Sequence, residues 1–580
     1  MKRRHRTVGT IALLCGAFGL ACSEASEGTH EDEASPPEGT AEQAYQEQAY
    51  TDEDDEEEAL AAVDGTSVLD AWPGELPPYA KDSYLAAMRA PVPSKVARQD
   101  TPRFVRQLEV DRDPAGFLGS YQPLGPTKTS TNAFFLPLGT NGRTCFTCHQ
   151  MDSGMSVSVR NIRARFAKTK GKDPIFAPVD GANCPNQVAD RRPWKKWSHW
   201  SRYKNWPSRY DAHSLLLEKG LIRIPLPVPA NAEYTIEVVK DPTTCNLDPD
   251  FNQNDNGTRI VSVFRRPLIS GNFGPNTGGS PGNFKTNVLA FGPPPPPPPI
   301  TNIMADGREP TLFTQAIDAT LGHAQATKVP TQEQLNQIVA FETNIYNAQL
   351  WDDRAGFLES GGATGGPIRL STHGNDDPAL GVPVFDEYDA WANVKGHGAA
   401  RRQAIARGQQ IFHGTGGGPG GTRGTFTISN VAGFNDAIGA PAVPGACATC
   451  HNFAHAGTDV LAQSQRDIGT GGQGAAIGGP TLKKDLPIFK LTCPAGSFLW
   501  DPNLTTVLTN DPGKALITGR CRDIGARTVP SLRGLASHEP FFIDGSAKTL
   551  LDLVNVYDRR FAIGLTAQEK RDLVAFLESL

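Results

Sequence analysis

CFTCH at residues 145–149 and CATCH at 447–451 are one pattern used twice, Cys-x-x-Cys-His. Two thiols at this spacing add to the two vinyl groups of a haem, and the adjoining histidine is carried to the iron as its proximal ligand. Zinc would need four ligands in a tetrahedral array, and neither motif has a second cysteine or histidine pair at finger spacing. A thioredoxin-like redox pair has no use for the following histidine. The reading is therefore two covalently bound c-type haems, held by Cys145, Cys148, Cys447 and Cys450, with His149 and His451 on the irons.

Working outward, TQEQLNQIVAFETNI (331–345) and TAQEKRDLVAFLESL (566–580) align without gaps. Both open with a capping box, Thr331 with Gln334 and Thr566 with Glu569, and both space apolar residues as a helix does. A second echo precedes them, ADGREPTLFTQAIDA (305–319) against IDGSAKTLLDLVNVY (543–557). The expected fold is mainly α, with two cytochrome c-type haem domains in tandem, residues 65–350 and 351–580. His149 lies 182 residues before its closing helix and His451 only 115. The excess holds LIRIPLPVP, YTIEVV and RIVSVFRRPL, which alternate as strands do, and FGPPPPPPPI (291–300), an extended spacer. A β-containing insertion over about 170–300 is expected in the first domain. The glycine-rich stretches near 414 and 469 read as irregular loops about the second haem.

At 580 residues the chain is long enough for two or three structural units that bury cofactors. KRRHR followed by VGTIALLCGAFGLA has the layout of an export signal, taken as residues 1–21. FGLACS resembles a lipoprotein cleavage site, which makes Cys22 the lipidated residue and the only membrane attachment expected. Residues 23–58 hold 15 acids and no Lys or Arg, so 22–64 reads as a solvated, disordered tether. Without those acids and the four bases of the signal, 52 Lys and Arg stand against 47 Asp and Glu. That balance, with no basic helix, excludes a dedicated nucleic-acid binder. Cys184, Cys245, Cys493 and Cys521 remain for disulfides. One bridge per half, 184 with 245 and 493 with 521, is the economical pairing of the three that four cysteines permit.

CFTCHQ, MADGRE, ARGQQIFHG, CATCHN, TVPSLRGLASHEPFFIDGS and LTAQEKRDLVAFL together resemble the bacterial di-haem cytochrome c peroxidases and their MauG-like relatives, over roughly residues 120–580. The resemblance implies a periplasmic di-haem oxidoreductase, of peroxidase/MauG-like kind, that binds its oxidant at the first haem and stores or relays electrons at the second. Hydrogen peroxide or dioxygen is the implied oxidant, a small redox protein or quinol-linked donor the implied partner, and calcium between the domains a further implied ligand. A two-haem electron carrier without catalysis and a di-haem oxygenase acting on an organic substrate are the alternatives. The expected location is the periplasm or outer membrane.

The same resemblance assigns roles to single residues. Tyr557 falls where family members carry the distal ligand of the second haem, with His538 its rival. The internal repeat sets Ala319 opposite Tyr557, and alanine cannot ligate iron, so the first haem is read as open. Met151 and Met155 are weaker candidates there. Gln325 falls where the peroxidases place a glutamate and the MauG-like enzymes a glutamine, and His323 beside it is a candidate base. The family's relay tryptophan is replaced by Ala305, which leaves Phe541 or Phe542 as substitute relays, or direct transfer between close haems, and Arg308 as a structural or propionate contact. RRPWKKWSHWSRYKNWPSRY (191–210) reads as aromatic packing of the insertion, with partner docking as the alternative.

Overall fold

Among the described residues six helices have ten or more residues, α1 (Val159–Thr169), α2 (Leu312–Gly322), α3 (Gln332–Asn344), α4 (Ala399–His413), α5 (Leu550–Phe561) and α6 (Ala567–Glu578), of which α2 and α3 repeat as α5 and α6. This computed structural model describes residues 101–188, 208–273, 303–372, 384–417, 421–452, 465–470, 482–498 and 501–580. The signal, tether, Cys22, the tryptophan run as far as 207, the polyproline run and parts of both glycine-rich loops lie outside them.

The closing helices start as their capping boxes require. Thr331 Oγ1 accepts from the Gln334 amide and Gln334 Oε1 from the Thr331 amide, and Thr566 and Glu569 do the same. Ahead of them the backbone repeats residue by residue. Bridges join Ile303 to Glu309 and Phe541 to Ala547. Met304 and Phe542, at matching places in these bridges, both have positive φ (66° and 64°), as do Gly307 and Gly545 (67° and 61°). Thr311 and Thr549 then cap α2 and α5.

The expectation of a mainly α chain is overturned: the fold is mixed α and β. Fifteen short strands form six small sheets among the described residues. Two causes account for the difference. The expected strands of the insertion, Ile222–Pro227, Thr235–Lys240 and Ile260–Arg265, are joined by further strands outside it. Leu108–Arg112, Gly116–Tyr121, Tyr346–Asp352 and Gly356–Phe357 form a four-stranded sheet of their own. In addition, among the described residues no long helix packs on α3 as α4 packs on α6. In the second half α4 crosses α6 so closely that a Cβ on Gly408 would lie 2.0 Å from the Asp572 carbonyl oxygen. At the matching place on α3, Gln337 instead accepts from the amide of Ala133, which opens the single 3-10 turn Ala133–Phe135.

The insertion also ties the halves together. Thr235–Lys240 pairs antiparallel with Ile488–Thr492, which pairs in turn with Thr506–Thr509. Arg265, at the end of its strand, donates to both oxygens of Asp511 (2.7 and 2.9 Å) and to Asp306 (2.6 Å). Disulfides join Cys184 to Cys245 and Cys493 to Cys521. The three largest apolar clusters lie under these strands, around α4 to α6, and around α2 and α3.

Candidate functional site

Each Cys-x-x-Cys-His segment is one tight turn pinned by its central threonine. The Thr147 hydroxyl accepts from the amide of Thr144 and the Thr449 hydroxyl from that of Ala446, both at 2.9 Å. The His149 amide donates to the Cys145 carbonyl at 3.1 Å, and His451 to Cys447 at 3.0 Å. These threonines were missed in the sequence reading, although both motifs carry one at the same place. The turn delivers two thiols and an imidazole to one cavity in each half, of about 210 Å³ in the first and 220 Å³ in the second.

The donor set fits a covalently attached haem. The four motif cysteines stand outside the disulfides. Burial pushes the thiols of Cys145, Cys148 and Cys447 up, the last to about 12. His149 Nδ1 lies 2.9 Å from the Met155 carbonyl, which only accepts, so Nδ1 carries the proton and the lone pair is on Nε2. Burial lowers its pKa to about 4, which keeps the imidazole neutral, the form a metal takes. Among the described residues no cluster of three or more His, Cys, Asp or Glu is placed to hold a metal ion.

α2 and α5 line the two cavities in equal register. Gln315, Ala316, Ala319 and His323 line the first where Leu553, Val554, Tyr557 and Phe561 line the second. The Tyr557 ring lies between Phe542 and Phe561, with centroids 6.1 and 6.2 Å away. Its hydroxyl has no hydrogen-bond partner among the described residues, and burial, then the two thiols, raise its pKa. His538 lines the same cavity, with Nδ1 3.1 Å from the Gly534 carbonyl and its pKa lowered to about 3, first by burial and then by Arg266.

The other assignments divide. His323 lines the first cavity, and its Nδ1 meets Asp180 Oδ2 at 2.5 Å. Burial opposes ionisation of Asp180, but Arg143 and His323 outweigh it and hold the carboxyl below its usual range. Gln325 is placed elsewhere. Its backbone is left-handed (φ 54°), its Oε1 accepts from Asn141 at 3.1 Å, and it does not line the cavity. Met151 and Met155 belong to the apolar core. Arg308 lines the first cavity and binds Asp306 at 3.0 Å.

The cavities share a wall made by Arg266–Ile269, Ala305 and Thr528–Ser531, with no aromatic residue in it. Ala305 is held there by the Thr528 amide, which donates to its carbonyl at 2.8 Å. Phe541 and Phe542 line only the second cavity. Arg266, also buried, donates to the carbonyls of Lys219, Val157 and His538.

Glu342 was also missed. It lines the first cavity from α3, is 4% exposed, and accepts from the Ser270 hydroxyl. The gap-free alignment carried the signal, because Glu342 falls opposite Leu577.

No family model and no curated protein matches the chain. Among solved structures, a MauG-like protein associated with microbial copper homeostasis aligns at 17% identity and a TM-score of 0.26, over 57% of this chain and 76% of that one.

Proposed function

We propose that the chain is an exported c-type di-haem oxidoreductase of the peroxidase/MauG-like kind, binding its oxidant in the first cavity and storing or relaying electrons in the second. The observation that carries this is the unequal pair Ala319 and Tyr557. At one register of equivalent helices, one cavity has a methyl group and the other a phenol with no hydrogen-bond partner among the described residues.

Cys145 and Cys148 in the first half, and Cys447 and Cys450 in the second, would hold the two haems, with His149 and His451 as proximal ligands. Haem so bound supplies an iron coordination position for hydrogen peroxide or dioxygen and a reversible one-electron store. Met155 fixes the His149 tautomer, as an outer-shell carbonyl does for a metal-bound imidazole. Tyr557 would supply an anionic oxygen donor to the second haem, which would favour the oxidised state of that site. Asp180 accepts from His323 Nδ1, which orients the ring and leaves Nε2 to take or give a proton on the open side. Gln325, turned to Asn141, takes no part in this reading. A small redox protein or quinol-linked donor supplies electrons, and the chain works in the periplasm or at the outer membrane, tethered through Cys22. No helix among the described residues is long and apolar enough to cross a membrane.

The test is the spectrum of the purified ferric protein. One high-spin and one low-spin haem is the expected result, and two low-spin haems, the signature of a simple electron carrier, would sink the proposal. Adding peroxide to one sample and dioxygen to a reduced one then identifies the oxidant by which produces an oxidised intermediate.

A further inference from the structure

α3 and α6 present equivalent residues to their cavities, Ile338 with Glu342 and Leu573 with Leu577. An acid has thus replaced leucine on one side only. Its surroundings offer little to a charge. Glu342 Oε1 accepts from Ser270, while Oε2, sealed from solvent, has no hydrogen-bond partner. Arg143, His149, Arg265, Arg266, Arg308 and His323 line the same cavity beside the two thiols, yet none of them hydrogen-bonds Glu342. Arg143 pairs with Asp180, Arg265 with Asp511 and Asp306, and Arg308 with Asp306, while Arg266 meets only carbonyls. Burial pushes the carboxyl up to about 7, and Ser270 is the interaction that lowers it. Glu342 is close enough to Cys145 that its charge raises that thiol.

We propose that Glu342 is the proton-binding group of the first cavity, taking one proton from solvent onto its carboxylate when a one-electron donor reduces the haem there and releasing it on reoxidation. This rests on the function proposed above. An oxidised iron carries one more positive charge than a reduced one, and an opposite charge nearby favours the ionised carboxylate. Reduction removes that charge, so the acid regains its proton. The second cavity, with Leu577 at this position, has no such partner.

The test is spectroelectrochemical titration of the full chain carrying both haems, over about pH 6 to 9, after mass measurement has established haem on each motif. The wave of the first haem is the one that Tyr557→Phe leaves in place. Its potential is expected to fall with pH toward about 59 mV per unit, the one-electron equivalent of a tenfold change in proton concentration. Glu342→Gln should flatten that wave alone, and Glu342→Asp should restore its slope. An unchanged slope in Glu342→Gln overturns the inference. Where that variant does not accumulate, redox-difference infrared spectra of the unmodified protein decide: a protonated-carboxyl stretch must appear on reduction, and its absence overturns the inference. A chain without haem on Cys145 and Cys148 overturns the proposed function, and this inference with it. A haem-loaded chain whose first wave ignores Glu342 overturns the inference alone.

Discussion

Ala319 and Tyr557 stand at the same turn of equivalent helices, each lining the cavity of its own half. Because the Tyr557 hydroxyl has no hydrogen-bond partner among the described residues, Tyr557→Phe should change stability by no more than about 0.5 kcal/mol. Its effect belongs on the haem. Loss of an anionic donor should raise the potential of the second haem by about 59 mV or more, at least a tenfold shift toward the reduced state. A redox titration in which both waves coincide with those of the unmodified protein removes Tyr557 from the iron.

The converse change is Ala319→Tyr. It places a phenol at the register where the second half already has one, in a cavity of about 210 Å³. The first haem should turn from high to low spin, and peroxide consumption should fall by about tenfold or more, since entry then competes with an internal ligand. A high-spin signal that persists at full peroxide turnover shows that this register does not face the iron.

Arg265 holds the two halves together from a buried position. Asp511 and Asp306 raise the pKa of its guanidinium despite burial, and Arg265 and Arg527 in turn hold Asp511 well below the usual carboxylate range. Removing one member of such a pair strands the other, which costs about 3–5 kcal/mol. Arg265→Met should therefore lower the urea midpoint sharply. Arg265→Met with Asp306→Asn should recover part of the loss, because Asp511 retains Arg527 and Arg308 retains Asp318. Equal midpoints for the single variant and the parent would contradict the network's role.

What was legible in the sequence was local. Cys-x-x-Cys-His needs only five residues, and a capping box four, so the attachment turns and closing helices could be read directly. The mixed fold was not legible, because a strand such as Ile488–Thr492 is defined by partners near Thr235, some 250 residues away. Short alternating runs look alike whether they pair or stay irregular. Gln325 is a related case: likeness assigned it a role, while the contact to Asn141 and the left-handed backbone there are set by residues distant in the chain. Glu342 was concealed by its helix, where one polar residue among apolar ones ordinarily faces water.

Glu342 also makes stability depend on pH in a direction opposite to most carboxylates. Burial pushes its pKa in the fold up to about 7 from the ordinary 4.5, so it is the protonated form that folding accommodates. The favourable contribution is fully present below about pH 4.5 and is lost as pH rises through 7, because the unfolded chain releases the proton first. At about 1.36 kcal/mol per unit, the loss amounts to roughly 3 kcal/mol. Glu342→Gln keeps the Ser270 contact without the charge. Its stability relative to the parent should thus improve by about 2–3 kcal/mol between pH 5 and pH 8.5, and change little above that. Urea melts of the haem-loaded protein, held reduced, at several pH values read this out. A parent-to-variant gap that stays constant from pH 5 to 8.5 would mean that Glu342 finds a counter-charge in the loaded protein and remains ionised throughout.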